Sequence, residues 1–446
     1  MQLLSLRGLA TAGLAASVAL GAGLAAAQAK TEIEMFFPVP VEGKLAKEMQ
    51  SLIERFNEAH PEIKATAVYT GSYDETNLKT RAAIKAGRPP AAVIMSANFI
   101  LEYQLNDEIQ PLDPLIEADG KTPDAFMGQF WQALHGNAQF AGKVWAVPFQ
   151  NSTPLLYINA TQFRAAGLDP DHPPATWAEW LAAAEKLTKR EGGETKRWGL
   201  MIPENYDYLG WIMTALTMSN GGLYYNPEYG GEVYYDAPTM LGALSFVDEL
   251  AHKAKVMPAA ITDGKAVSTA FFAGQASMVV LSTGSLSFVR ENMKDDYRVA
   301  FVPRNLRNAV AIGGASLMMP KGLSPEKQKA AWTLMKWLTS PEIAGQWSRF
   351  TGYFAPNKAA YDLPEMKQFI DSHPDAKVAL DQLKYARSWF ATYNTVAVRK
   401  ALEDQVQAVI TGDAKPAEAL KAAQQKADEL MKPYVDSTAL KLPAAM

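Results

Sequence analysis

Residues 143–159, KVWAVPFQNSTPLLYIN, contain two apolar runs of strand character that are joined by polar residues and interrupted by Pro148 and Pro154. Proline and small polar residues interrupt a strand, so such a segment can leave one sheet and enter another. We interpret it as a crossing between two lobes. The residues on either side of it then indicate what each lobe contains.

The residues before this crossing alternate between strand and helix patterns. Thr31 to Phe37 has strand composition, and apolar residues recur at helical spacing from Leu45 to Phe56. A second strand follows His60-Pro61, a helix covers Leu78 to Lys85, and Ala91 to Met95 has the composition of a buried strand. This order predicts a parallel sheet covered by helices on both faces.

The residues after the crossing continue in the same style. Amphipathic helices are predicted over Trp177 to Leu187, with Thr176 as N-cap, and over Met240 to Ala254. A return crossing is expected near Tyr297 to Val310. Further amphipathic helices are predicted over Pro325 to Leu338, Thr395 to Ile410 and Pro416 to Met431.

The predicted fold class is therefore α/β, with two lobes that each hold a sheet flanked by helices. A chain of 446 residues is too long for one ordinary core and suits two domains. No repeat or low-complexity linker separates them, so we expect several short crossings. The expected segments are a signal peptide over 1–29, a first lobe over 30–146 and 306–350, and a second over 147–305 and 351–446.

The first thirty residues have the layout of a secretory signal peptide. Arg7 precedes an apolar run of small residues that ends in Ala-x-Ala options at 25–27 or 27–29. The alternative is a membrane span that stays attached. The chain contains no cysteine, which excludes disulfides, a thiol nucleophile and a lipid-anchored amino terminus. We expect an exported protein that is soluble in the periplasm and monomeric.

Charge and motifs argue against several function classes. The formal net charge of −4 does not favour a nucleic-acid partner. The five histidines are scattered, and G-x-S-x-G, P-loop and G-x-G-x-x-G patterns are absent, so we expect no metal site, no cofactor and no enzyme activity. The ten Trp, seventeen Tyr and eighteen Phe include some that we expect to line a ligand cleft.

Several motifs in one order resemble the extracellular solute-binding proteins of ABC importers (family 1), and in particular the members that bind glycerol 3-phosphate. The matching segments are VEGKLAKEMQSLIERFNEAHPEIK, TGSYDE, PFQNSTPLLYIN, AAGLDPDHPPATWAEW, STGSLSFVRE, AIGGASL and TGYFAPNKAAYDL. They span nearly the whole chain after residue 40. The resemblance implies the two-lobed type II periplasmic binding protein fold, a hinged cleft between the lobes, and a membrane permease as partner.

The resemblance also implies a set of ligand-binding residues. They are Tyr73, Ser152, Ser282, Gly314, Tyr353 and Arg399. By residue type alone, Arg399 would be a surface arginine on an amphipathic helix, and the serines and glycine would be turn and cap residues. As a set, the guanidinium suits a phosphate and the hydroxyls and amide suit neutral groups. Trp211 and Trp177 are added as candidate cleft aromatics, although Trp177 also suits the core of the second lobe.

Two positions depart from the family pattern. Ala97 stands where the family has a glutamate, and Pro38-Val39-Pro40 replaces a Trp-His-Ser run. Both changes remove hydrogen-bonding groups from the first lobe, which should weaken binding of glycerol 3-phosphate itself. We therefore expect a small anionic ligand with a different or larger organic end, such as a glycerophosphodiester or a sulfonated or phosphorylated polyol.

Two other functions stay open at this point. A protein of the same fold could bind neutral sugars or polyols, with Arg399 bonded to hydroxyls or to a partner side chain. A protein of another class could be a periplasmic phosphodiesterase or glycosidase, which would need a metal cluster or paired carboxylates.

Overall fold

The computed structural model describes residues 29–39, 41 and 44–439, without the side chains of residues 206 and 207. The predicted signal peptide therefore lies outside the described residues, apart from Ala29, and so does Pro40.

The strands are short, and the central ones of each sheet are largely buried. Their bounds are β1 (Thr31–Phe37), β2 (Ile63–Tyr69), β3 (Ala92–Ser96), β4 (Gln139–Phe140), β5 (Lys143–Val144), β6 (Ala146–Ser152), β7 (Pro154–Asn159), β8 (Lys189–Glu191), β9 (Glu194–Met201), β10 (Ala276–Ser282), β11 (Tyr297–Ala300), β12 (Val310–Ala311), β13 (Gly313–Met318) and β14 (Ala386–Arg387).

Helices predominate in the carboxyl-terminal part of the chain. Their bounds are α1 (Leu45–Ala59), α2 (Tyr73–Lys85), α3 (Ile100–Leu105), α4 (Asp113–Ala118), α5 (Pro123–Met127), α6 (Ala160–Ala165), α7 (Trp177–Leu187), α8 (Tyr206–Ser219), α9 (Pro238–Asp248), α10 (Gly264–Phe272), α11 (Leu286–Asn292), α12 (Pro325–Leu338), α13 (Pro341–Thr351), α14 (Pro364–Ser372), α15 (Pro374–Gln382), α16 (Thr395–Thr411) and α17 (Pro416–Thr438).

The first sheet has the order β2-β1-β3-β13-β6. The strands β2, β1 and β3 are parallel, as the alternating strand and helix pattern predicts. The strand β13 runs antiparallel to both β3 and β6, so the complete sheet is mixed. The reason is that β13 returns directly from the second lobe, and no helix crossover forces it to be parallel.

The second sheet has the order β11-β7-β10-β9-β8. The strand β10 is parallel to β9 but antiparallel to β7, which in turn is antiparallel to β11. Each sheet has its own apolar core: Phe56, Phe99 and Tyr103 pack in the first, and Trp180 and Leu244 in the second. The predicted two-lobed α/β architecture is confirmed.

The chain passes from the first sheet to the second at Thr153, between β6 and β7. The backbone N–H of Thr283 donates to the Thr153 carbonyl oxygen at 3.0 Å, and the Gln382 side chain donates to the Thr153 hydroxyl at 3.0 Å. The crossing expected within residues 143–159 is therefore confirmed. The lobe limits at residues 146 and 306 stay predictions, because β6 still pairs within the first sheet.

The predicted helices are present, with shifted ends. The helix α2 begins at Tyr73, five residues before the expected start, because Ser72 and Glu75 form a reciprocal capping box. The helix α9 ends at Asp248 and continues as one π-helical turn over Glu249–Lys253. Thr176 caps α7 as predicted.

Candidate ligand-binding cleft

The carboxyl ends of the strands bring several polar residues to one edge of the first sheet. The residues after β2 and β3 and at the end of β6 meet at this edge, and β13 begins there because Gly313 pairs with Ser152. Ser282, at the end of β10, pairs with Pro154 at the start of β7, so the corresponding edge of the second sheet adjoins the Thr153 crossing. Ligand clefts of α/β proteins form at such strand ends.

Tyr73 lies on the first-lobe side of this region and is buried. The Gln150 amide donates to its hydroxyl oxygen at 3.2 Å, which ties the start of α2 to β6. Gln150 is not among the predicted residues. Its pairing with Ala315 of β13 places it next to Gly314.

Gly314 has a conformation that other residues adopt at a cost. Its φ is +82°, and a Cβ atom there would lie 1.9 Å from the Gln150 carbonyl oxygen. A side chain would therefore both strain the backbone and displace β6. The close approach leaves the buried Ser152 and Asn151 directly beside the glycine.

Ser282 and Tyr353 both adjoin the turn that follows β10. The Ser282 hydroxyl accepts a hydrogen bond from the Gly284 N–H at 3.0 Å and caps the short 3₁₀ turn Thr283–Ser285. The buried Tyr353 ring packs so tightly against this turn that a Cβ at Gly284 would lie 2.6 Å from it. Tyr353 therefore packs against the turn that Ser282 caps.

Arg399 lies in the first turns of α16 and reaches both lobes. Its side chain is only 4% exposed, so the surface interpretation is wrong for this arginine. Its Nη2 lies 3.3 Å from a carboxylate oxygen of Asp74 in the first lobe, and its Nε lies 3.3 Å from Glu403 on its own helix. The rings of Phe99 and Trp389 lie 5.4 and 5.8 Å from the guanidinium carbon.

The two candidate tryptophans lie in different places. The Trp211 indole donates to the Ala311 carbonyl at 2.9 Å, and a Cβ at Gly313 would lie 2.7 Å from its ring, so it adjoins the region described above. Trp177 instead stacks on Phe246 with a centroid separation of 4.6 Å and belongs to the core of the second lobe. The structure does not bring Trp177 together with the other candidates.

The Ala97 departure lies beside a polar neighbour that the sequence reasoning missed. Asn98 is fully buried in the 3₁₀ turn after β3. Its side-chain Oδ1 accepts a hydrogen bond from the Ser96 hydroxyl at 2.7 Å. Its Nδ2 has no hydrogen-bond partner among the described residues. A carboxylate acceptor is missing at this position, but an amide donor stands next to it.

Two further buried polar atoms near the strand ends also lack partners among the described residues. They are the Asn151 Oδ1 and the Ser285 hydroxyl. Buried polar groups are nearly always hydrogen-bonded, so unpaired ones require an explanation. Asn151 directly precedes Ser152, and Ser285 ends the turn that Ser282 caps, so these positions are the signal by which the sequence could have found them.

The side chains around Arg399 were also missed. Asp74 directly follows Tyr73, and Glu403 lies one helical turn after Arg399, so these two could have been found from spacing. Trp389 and Phe99 lie far from Arg399 in sequence and meet it only through the fold.

Among residues 29–39, 41 and 44–439, no group of three or more His, Asp or Glu side chains is placed to hold a metal ion. Over the same residues, no helix combines the length and apolarity that crossing a membrane requires.

Comparison with known proteins decides the family. Residues 51–377 match the model of the family described as bacterial extracellular solute-binding protein. The chain is a bacterial extracellular solute-binding protein. The sn-glycerol-3-phosphate-binding periplasmic protein UgpB of Escherichia coli K12 is 28% identical to this solute-binding protein over 445 residues, which cover 95% of this chain and 98% of that one.

Solved structures show the same fold for this solute-binding protein. UgpB from Mycobacterium tuberculosis in complex with glycerophosphocholine has a TM-score of 0.79 at 24% identity and covers 90% of this chain and 98% of its own. A solute-binding protein from Thermotoga lettingae bound with α-D-tagatose has a TM-score of 0.78 at 21% identity, with 90% and 100% covered. The predicted type II periplasmic binding protein fold is confirmed.

Proposed function

We propose that this protein binds glycerol 3-phosphate or a related glycerophosphodiester between its lobes and delivers it to the permease of an ABC importer. The observation that carries the proposal is Arg399, a buried arginine that lies within reach of both lobes. Arginine is well suited to phosphate because its planar fork can donate two parallel hydrogen bonds. The relatives named for glycerol 3-phosphate and glycerophosphocholine support this ligand class.

The neutral part of the ligand would be held by the remaining candidates. Tyr73, Ser152, Ser282 and Tyr353 offer hydroxyls. The unpaired Asn98 amide and Asn151 carbonyl suit the hydroxyls of a glycerol unit. Because Ala97 offers no acceptor, we expect a glycerophosphodiester to bind better than glycerol 3-phosphate.

The proposed function places the protein in the periplasm and involves no chemical reaction of the ligand. The predicted signal peptide, the missing cysteine and the periplasmic relatives support a periplasmic location. The proposed protein is a monomer that partners with inner-membrane permease subunits. Incubation with glycerophosphodiesters should leave them intact, as followed by ³¹P NMR. Release of glycerol 3-phosphate would instead indicate the hydrolase alternative.

The proposal is tested by isothermal titration of the mature chain with glycerol 3-phosphate, glycerophosphocholine and glycerophosphoethanolamine. We expect binding of at least one diester, and a loss of affinity of at least about 30-fold in Arg399→Ala, because losing a buried charged hydrogen bond costs about 2–5 kcal/mol.

The matched control is Arg88→Ala, which removes the same charge from an exposed position of the first lobe. It should change affinity by less than twofold. Failure of the wild-type chain to bind any of the three compounds would contradict the proposal.

One observation favours a second candidate, a neutral sugar or polyol. Arg399 already lies beside two carboxylates, Asp74 and Glu403, as that alternative requires. The structure bound with α-D-tagatose has nearly the same TM-score to this chain as the structure bound with glycerophosphocholine. If this candidate is correct, a sugar panel will contain a ligand whose affinity Arg399→Lys hardly changes.

A further inference from the structure

Two carboxylates and one guanidinium form a charge cluster where the lobes meet. Asp74 lies in the first turn of α2 in the first lobe, whereas Arg399 and Glu403 lie on α16. The Arg399 Nη2 is 3.3 and 3.4 Å from the two Asp74 oxygens. The cluster carries one positive and two negative formal charges, so its sum is −1.

The two carboxylates are held very differently. The Glu403 side chain is 1% exposed, and its second oxygen accepts from the Gly210 N–H at 3.0 Å. Both carboxylates lie 3.3 Å from a guanidinium nitrogen, but the Asp74 side chain is 39% exposed and lies on a different helix from Arg399. Asp74 is therefore the carboxylate that can move away when another anion approaches the guanidinium.

The position of Asp74 has a consequence for the charge of a ligand. A phosphate bonded to Arg399 would lie within a few ångströms of the Asp74 carboxylate. A phosphomonoester carries about −1.5 to −2 charges near pH 7, whereas a phosphodiester carries one. Repulsion by Asp74 is therefore larger for the monoester, and an ammonium group on the diester would turn it into attraction.

The aromatic surroundings are consistent with a cationic substituent. The Phe99 and Trp389 rings already lie 5.4 and 5.8 Å from the positively charged guanidinium carbon. Ring faces attract cations, including quaternary ammonium groups. A ligand cation that replaced Arg399 as the partner of Asp74 would therefore lie near these two rings.

We propose that Asp74 is a specificity-determining residue that selects zwitterionic phosphodiesters over phosphomonoesters. The ligand phosphate takes the Asp74 side of Arg399, and the Asp74 carboxylate then faces the ligand cation. This inference rests on the proposed function and narrows its substrate class.

The test measures the ratio of the dissociation constants for glycerol 3-phosphate and glycerophosphocholine at one ionic strength. In the wild-type chain we expect a ratio well above one. Asp74→Asn keeps the size of the side chain and removes the charge, so it should tighten glycerol 3-phosphate, weaken glycerophosphocholine, and lower the ratio at least tenfold. Glu54→Gln, which removes a charge from an exposed position on α1, should leave the ratio unchanged.

Each outcome is decisive. If Asp74→Asn leaves the ratio of the two dissociation constants unchanged, the inference is overturned. A change of both dissociation constants by the same factor would be one such case and would indicate a structural role. As long as the wild-type chain binds one of the two compounds, the proposed function stands whatever the effect of Asp74→Asn. Absence of binding of both compounds to the wild-type chain overturns the proposed function and this inference with it.

Discussion

Arg399 shows how a residue that sequence patterns place at the surface becomes buried between charged partners in the folded chain. A buried arginine requires compensating charge and hydrogen bonds, because removal of its charge from water costs several kcal/mol. Glu403 provides this from one turn away, and Asp74 provides it from the other lobe. The cost of burial is thus met partly by a residue that only the folded chain brings near.

Glu204 is a second buried charge-bearing residue, located between β9 and α8. One carboxylate oxygen accepts from the N–H and hydroxyl of Thr262 at 3.0 and 3.1 Å, and the other has no partner among the described residues. Burial raises the pKa of the Glu204 carboxyl to about 8. The folded chain therefore keeps a proton that the unfolded chain loses near pH 4.5.

We expect this group to make the protein less stable as pH rises. Its contribution is fully present below pH 4.5 and is lost as the pH rises toward 8, by at most roughly 1.4 kcal/mol per pH unit. Glu204→Gln should remove this decline, so the variant should gain stability over the wild type between pH 5 and pH 9. Denaturant unfolding across that range measures it.

The control is Glu185→Gln, at an exposed position of α7 in the same lobe, which should follow the wild-type pH profile. If Glu204→Gln also follows the wild-type profile, the carboxyl is not held protonated in the folded chain.

At the scale of elements, the beginning of α2 matters most because it carries both Tyr73 and Asp74. The Ser72 hydroxyl accepts from the Glu75 N–H at 3.2 Å, and the Glu75 carboxylate accepts from the Ser72 N–H at 2.7 Å. This capping box determines where the helix starts and fixes the two residues toward the cleft.

We expect Ser72→Ala to lower the free energy of unfolding by about 1 kcal/mol, the usual value of an N-cap. It should also weaken ligand binding, because α2 would fray at the turn that holds Tyr73 and Asp74. Denaturant unfolding and calorimetric titration of the same samples measure both effects.

The second lobe offers a matched control for this change. Thr176 and Glu179 form the same capping box at α7, whose first residue Trp177 packs in the core. Thr176→Ala should cost similar stability and leave the affinity unchanged. Equal effects of both variants on affinity would show that the position of α2 is irrelevant to binding.

At the scale of the whole molecule, several of the contacts that join the lobes are polar. Besides the Asp74–Arg399 pair, Lys44 lies 3.1 Å from Glu291 of the other lobe, and the Val396 N–H donates to the Glu102 carboxylate at 3.3 Å. Surface ion pairs contribute about 0–1 kcal/mol. A ligand that contacts both lobes would add to these weak pairs and favour the closed arrangement.

We expect the unliganded protein to populate conformations with the lobes farther apart. The chain has no native cysteine, so Lys44→Cys and Glu291→Cys can carry spin labels without background. Saturating ligand should shift their distance distribution to shorter values, because closure is selected by differential binding. A pair within the first lobe, Glu54→Cys and Lys329→Cys, should give the same distribution in both states.

A distribution for the Lys44 and Glu291 pair that stays unchanged on ligand addition would contradict ligand-driven closure. It would leave the affinity-based tests of Arg399 and Asp74 unaffected, since those measure binding and not motion.

Local patterns determined much of this molecule. Apolar periodicity and breaker residues were enough to predict α7, α12 and the strands on both sides of Thr153, because these elements depend on neighbours in sequence. Six of the eight candidate binding residues came from motifs, and the fold brings those six, together with Trp211, to the strand ends near the Thr153 crossing. The antiparallel direction of β13 was not predictable from the strand and helix pattern, because it depends on the route by which the chain returns.

Only the tertiary structure determined which charged and aromatic side chains surround Arg399. Arg399 meets Asp74, Phe99 and Trp389 only when both lobes are in place, and no spacing in the sequence encodes those distances. It also assigned Trp177 to a core and revealed the unpaired amide of Asn98. Sequence determines which groups a chain can offer, whereas burial and neighbouring charges, which come from packing of distant segments, determine how strongly each group acts.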